Sequence, residues 1–116
     1  MFKLETDPEF WSDVKLRLPG GETAEFKACF TLLTARQWDD FMKADMEAAE
    51  NDFDRARRQM IARVLTDWRD VVDPDDGTPM GFTPERLEAL TAHTWFQAAV
   101  VETYVREITG QGARKN

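Results

Sequence analysis

The side chains that could carry covalent chemistry in this chain are few. Ser12 is its only serine, Cys29 its only cysteine and His93 its only histidine. A nucleophilic triad needs a Ser or Cys, a His beside it and an acid to orient the His. Ser12 and Cys29 fall in an alternating, strand-like stretch, and His93 falls at a break between two helical patterns. Cys29 is expected on the polar face of its strand, with only Lys27 near it in sequence to activate it. His93 is expected to cap or pack at a helix junction. One Cys cannot form an internal disulfide or a Cys-based zinc site, and one His excludes multi-histidine metal motifs. No catalytic, cofactor-binding or metal-binding residue is assigned, and the expectation is a protein that is not an enzyme.

Acidic side chains invite a calcium reading at Asp73-Pro74-Asp75-Asp76-Gly77-Thr78-Pro79. A calcium loop of the EF-hand type needs acidic oxygens at positions 1, 3 and 5, Gly at 6 and Glu at 12. With Gly77 at position 6, position 1 is Val72, position 3 is Pro74 and position 12 is Thr83, so the spacing fails. The segment reads as a solvated turn. Gly20-Gly21 lies between two strands, so it is not a phosphate-cradling loop before a helix. Arg55, Arg57, Arg58 and Arg63 form a basic cluster, but twelve acids flank it between Asp39 and Asp76. Ion pairing within or between subunits is the expected role, with Asp54 and Arg58 in the favoured i,i+4 order.

These residues sit on elements that periodicity and turn chemistry delimit. Residues 1–9 read as an N-terminal arm. Residues 10–33 read as a β-hairpin: Val14, Leu16 and Leu18 alternate with polar residues, as do Ala24, Phe26, Ala28, Phe30 and Leu32. Leu18-Pro19-Gly20-Gly21-Glu22 supplies the reversal. Thr34-Ala35-Arg36-Gln37 fits a capping box that opens a helix. Residues 34–68 then read as two helices, about 35–49 and 52–68, or as one long bent helix, with Phe53, Ala56, Met60, Ile61, Val64, Leu65 and Trp68 keeping the helical period. Residues 69–82 form a loop. Thr83 and Pro84 open the C-terminal helices 83–109, with the last helix starting near Trp95. Residues 110–116 are a polar tail. The predicted fold is α+β, mostly α: an N-terminal β-hairpin followed by three to four packed helices in one domain.

Composition narrows the function. The chain has 116 residues, 15 Lys+Arg and 22 Asp+Glu, a formal charge of −7 and 42% hydrophobic residues. The acidic balance disfavours a free-standing nucleic-acid binder and an electrostatic grip on an anionic membrane. No apolar run is long enough to span a bilayer, and acids stand where a signal peptide needs bases. Four Trp, eight Phe and five Met exceed what the missing chemistry requires. Aromatic and Met side chains fill cores and also enrich protein interfaces. Trp38, Phe41, Met42, Met46 and Met60 are the candidate protein-binding residues.

Two segments carry a family resemblance. Val64-Leu65-Thr66-Asp67-Trp68-Arg69-Asp70-Val71-Val72-Asp73, followed by Asp76-Gly77-Thr78-Pro79-Met80-Gly81-Phe82-Thr83-Pro84-Glu85-Arg86-Leu87, resembles the tail assembly chaperones of long-tailed, siphovirus-type bacteriophages. The hairpin followed by Leu-Thr and a helix is similar as well, and the likeness spans about residues 12–109. It implies a chaperone, phage- or prophage-encoded, that binds and solubilises the tape-measure protein and helps recruit tail-tube subunits. It implies action in the bacterial host cytoplasm and absence from the mature virion. It also implies a contact with the tail-tube protein through a longer, frameshifted product. Arg114-Lys115-Asn116 is compatible with an A-rich slippery heptamer spelling Lys-Asn. No cofactor, nucleic acid or membrane is implied, and a homo-oligomer is compatible with the acidic charge. The competing expectation is a small acidic phage or bacterial adaptor, or an inhibitor that mimics nucleic acid.

Overall fold

Alternation and turn chemistry build the first two elements. The computed structural model describes residues 8–48 and 52–110. The start of the arm (1–7), residues 49–51, where the first helix was expected to end at Ala49, and the tail 111–116 with Arg114-Lys115-Asn116 lie outside the described residues. Strands β1 (Glu9–Arg17) and β2 (Thr23–Thr31) pair antiparallel, with Val14 opposite Phe26 and Trp11 opposite Cys29. Between them Leu18 N–H donates to the Glu22 carbonyl at 2.8 Å. Gly20 and Gly21 hold φ of +93° and +92°, a region that a Cβ penalises.

Helix α1 (Ala35–Ala48) opens on the expected capping box. Thr34 N–H donates to Gln37 Oε1 at 2.9 Å, and Gln37 N–H donates to Thr34 Oγ1 at 3.2 Å. Helix α2 (Phe53–Val64) is separate from α1, because Asp52 takes an extended φ of −153° and its carboxylate caps Arg55 N–H.

The chain then departs from expectation. Residues 65–68 are not helical: β3 (Leu65–Arg69) follows α2 directly and adds antiparallel to β2. The bare hairpin is therefore a three-stranded sheet of order β1-β2-β3. Leu65 lies opposite Phe30 and Trp68 opposite Ala28, with a register shift between Cys29 and Phe30. This extra residue puts Leu65 and Trp68, three apart, on the same inner face. A bulged strand thus reproduces the i,i+3 spacing of a helix.

Helix α3 (Pro84–Thr91) starts as expected, with Arg86 N–H donating to Thr83 Oγ1 at 3.1 Å and Pro84 in the first turn. Helix α4 (Thr94–Ile108) ends before Gly110, whose φ is +79°. Between β3 and α3 the loop closes on itself through a bridge of Val72 with Pro79, and the Trp68 indole N–H donates to the Met80 carbonyl at 2.8 Å.

Helices α2 and α4 cover the inner face of the sheet, and α3 packs against both of them. Val14, Phe26, Ala28, Phe30, Ile61, Val64, Leu65, Trp68, Leu87, Phe96, Val100 and Tyr104 form the core. The Phe26 ring stacks on Phe96 at 5.7 Å between centroids, and Trp68 meets Phe26 and Phe82 edge-on. The architecture is α+β, mostly α, with one three-stranded antiparallel sheet and four helices. No helix among the described residues is long and apolar enough to cross a membrane.

Candidate protein-binding surface

The sequence-derived nucleophiles do not converge. Ser12 registers with Ala28, and Cys29 is its immediate neighbour on β2, so the two side chains face opposite sides of the sheet. Cys29 is buried, at 5% exposure, which corrects the expectation of an accessible polar-face thiol. The cause is Trp11: Arg69 of β3 lies 4.2 Å over its ring, a contact that has to cross β2 where Cys29 sits. His93 occupies the N-cap position of α4 without a side-chain cap bond and stacks on Trp95 at 5.1 Å.

The acidic loop satisfies itself. Asp73 Oδ1 accepts from Asp75 and Asp76 N–H, and Asp76 Oδ1 accepts from the Thr78 N–H and hydroxyl. The Thr78 bonds hold the Asp76 carboxyl below the usual carboxylate range. In the arginine cluster, Arg58 reaches Asp54 at 3.6 Å and also donates to the Glu88 carbonyl and to Thr91 Oγ1. It thereby fastens α2 to α3. The Arg57 guanidinium lies over the Phe53 ring at 4.9 Å.

Helix α1 is where apolar surface meets solvent. The expected binding residues split into three groups. Trp38 and Phe41 are half-buried against the core, Trp38 with its ring 5.7 Å from Tyr104. Met42 is 39% exposed and Met46 is 73% exposed. Met60 is only 3% exposed, so it is corrected from a surface residue to an interior one. The physical reason for the gradient is helical geometry. Four residues rotate a helix by about 400°, so Met42 and Met46 step successively about 40° away from Trp38. The apolar stripe starts anchored at Trp38 and climbs out of the core by Met46.

Sequence reasoning missed one residue of this surface. Phe53 was expected in the buried stripe of α2, with which it shares the helical period of Met60 and Val64. It is 46% exposed, because it occupies the first turn, beyond the cover that the rest of the stripe receives. Its place beside the α1–α2 connection was the available signal. Asp39, Asp40, Glu47, Asp52 and Asp54 are all exposed along the same two helices. Met42 and Met46 on α1 and Phe53 at the start of α2 are thus exposed apolar side chains on an acidic helical pair. Leu32 adds one further departure. It was expected to face the core with Phe30, but it is 39% exposed. β2 ends at Thr31, and Leu33 turns in instead, with its N–H bound to the Tyr104 hydroxyl at 3.1 Å.

Comparison with protein-family models, with curated proteins and with solved structures gave no match.

Proposed function

We propose that the chain is a non-enzymatic tail assembly chaperone, which uses the α1–α2 pair to cover apolar helix faces of a tape-measure protein. The observation that carries this reading is the exposure of Met42 and Met46 on α1 and of Phe53 on α2, on an acidic helical pair. Flexible thioether side chains adapt to varied helical partners. An amphipathic helix docks through apolar anchors at i, i+3, i+4 and i+7, and the surrounding carboxylates favour clients with basic flanks. The −7 charge keeps a client carrying many copies in solution. The family resemblance supplies the client and the setting in the host cytoplasm. The alternative of a nucleic-acid mimic rests on a regular carboxylate array, whereas the α1 acids border an apolar strip, which favours the chaperone.

The test is co-expression with the tape-measure protein of the same genome, scored by soluble client. Wild-type chain is expected to raise soluble client several-fold and to co-purify with it. Met46→Asp, at a 73% exposed position, is expected to abolish this while the chain stays folded. Its own unfolding midpoint should move by less than about 0.5 kcal/mol equivalent. Full solubilisation by Met46→Asp removes the strip from the mechanism. No effect of the wild-type chain removes the chaperone reading itself.

A further inference from the structure

β1 is an edge strand with one side open. The order β1-β2-β3 leaves its outer side without a neighbour, and among the described residues nothing pairs there along Glu9–Arg17. Such an edge presents a row of backbone N–H and C=O groups to any strand of suitable shape. Edges are commonly blunted by Pro, by a bulge, by an inward-pointing charge or by charged side chains, Lys above all. β1 uses only the last of these. It pairs with β2 without a register shift, holds no Pro, and carries all its charged residues on the outer face with Trp11. A recess of about 820 Å³ lies beside it, lined by outer-face side chains of β1 and by Trp95, Glu102, Arg106 and Glu107 from α4.

We propose that this edge is a self-association surface: β1 pairs antiparallel with β1 of a second copy about a two-fold axis at Val14. Trp11 then meets Arg17 of the copy, and Asp13 meets Lys15 of the copy. The register follows from the sequence of the strand. A two-fold axis perpendicular to the sheet sets inner-face residues opposite inner-face residues, so the axis passes through a residue. At Asp13 the carboxylate faces itself, and at Lys15 the ammonium does. At Leu16, Lys15 faces Arg17. At Ser12, Trp11 faces a carboxylate and Arg17 runs past the end of the copied strand. Only the axis at Val14 gives opposite charges and cation–aromatic pairs at every outer-face crossing from Trp11 to Arg17, and like charges directly opposite are destabilising.

The side chains are ready for these partners. Lys15 and Arg17 make no ion pair among the described residues. Asp13 holds Lys27 at 3.0 Å, and that bond raises the lysine above its ordinary value. Lys15 of a second copy would extend this into a Lys27–Asp13–Lys15 row across the new sheet. Trp11 is 40% exposed with Arg69 over one face of its ring, which leaves the other face for a second guanidinium. The overall −7 opposes association of two copies. The outer sheet face sets Lys15, Arg17, Lys27 and Arg69 among Glu9, Asp13, Glu25 and Asp67, so it carries no net charge and adds no net repulsion of its own where the copies meet.

Sedimentation velocity of the full chain tests this without any client, so its result is separate from that of the chaperone assay. Wild-type chain is expected to dimerise reversibly. Asp13→Lys and Lys15→Asp should each weaken the dimer by at least about tenfold, since each sets like charges opposite one another. The decisive arm mixes the two variants. Positions 13 and 15 are then both basic in one chain and both acidic in the other, and a heterodimer of near wild-type strength should return. Arg17→Glu, at the end of the strand and away from the Asp13–Lys27 bond, should also weaken the wild-type dimer. A wild-type chain that stays monomeric overturns the proposal, as does a dimer indifferent to Asp13→Lys, Lys15→Asp and Arg17→Glu.

Discussion

Helices α1 and α4 are nearly equal in length, at 14 and 15 residues, yet they are held in different ways. α4 buries Phe96, Gln97, Ala99, Val100, Thr103 and Tyr104 and lies along β1. None of the described side chains of α1 is fully buried, and its main neighbour is α2. The difference lies in what each apolar stripe meets. α4 presents its stripe to the sheet, where burial of each large side chain contributes about 1.5–3 kcal/mol. α1 presents Trp38 and Phe41 to the edge of that core and spends Met42 and Met46 on solvent. One helix fixes the fold, and the other is a surface held in place by a few anchors. Elements with few buried contacts open at lower free energy than the whole domain, and binding surfaces are drawn from that end.

The largest expected effect probes α4. Tyr104 is 0% exposed, and its ring meets Phe10, Phe30 and Trp38. Tyr104→Ala should destabilise the protein by about 3–5 kcal/mol in denaturant unfolding, as truncation of a large buried aromatic does. A loss below about 1 kcal/mol would erase the contrast with α1.

The next effect isolates the hydroxyl. It donates to the Thr31 carbonyl at 2.8 Å and accepts from Leu33 N–H at 3.1 Å, so one phenol holds both the end of β2 and the turn into α1. Tyr104→Phe leaves those backbone groups unpaired and should cost about 1–3 kcal/mol. Burial raises the phenol above its ordinary value, so folding favours the neutral form. The stability from that preference is complete below the unfolded value, about 10, and is lost as pH climbs through the folded value. The unfolding midpoint of the wild type should therefore fall more steeply above pH 10 than that of Tyr104→Phe. Parallel pH curves would show that the phenol contributes nothing to the alkaline limb.

This contrast was half legible in the amino-acid order. Caps and turns rest on chemistry within a few residues, so Thr34-Gln37, Thr83-Pro84 and Pro19-Gly20-Gly21 announced their elements correctly. Strand β3 was hidden because its bulge spaces Leu65 and Trp68 as a helix would. Met60 and Phe53 exchanged their expected exposures for a different reason. Both lie on the apolar stripe of α2, and periodicity says which face is apolar without saying how far along the helix the cover extends. Cys29 was misread because its concealment comes from Trp11 and Arg69, which reach each other from separate strands. The misses at Met60, Phe53 and Cys29 depend on tertiary cover, which no local pattern encodes.

The smallest expected effect is also the sharpest test of how α1 is held. Thr34→Ala removes one half of the capping box and should cost about 1 kcal/mol of helix stability. Where that cost appears distinguishes two arrangements. If α1 opens on its own, its amides should exchange about fivefold faster, since 1.4 kcal/mol is tenfold. The amides of α4 and β2 should then keep their rates, and the global unfolding midpoint should barely move. If α1 is instead an integral part of the core, the loss should reach Tyr104 through Trp38, and exchange in α4 should accelerate with it. Thr83→Ala supplies the internal reference. It removes the corresponding hydroxyl at α3, which carries the buried Leu87 and Thr91, so its cost should register in global unfolding. Equal behaviour of the two cap variants would mean that α1 is held as firmly as the core helices, and the exposed Met strip would then be a rigid platform instead of a movable one.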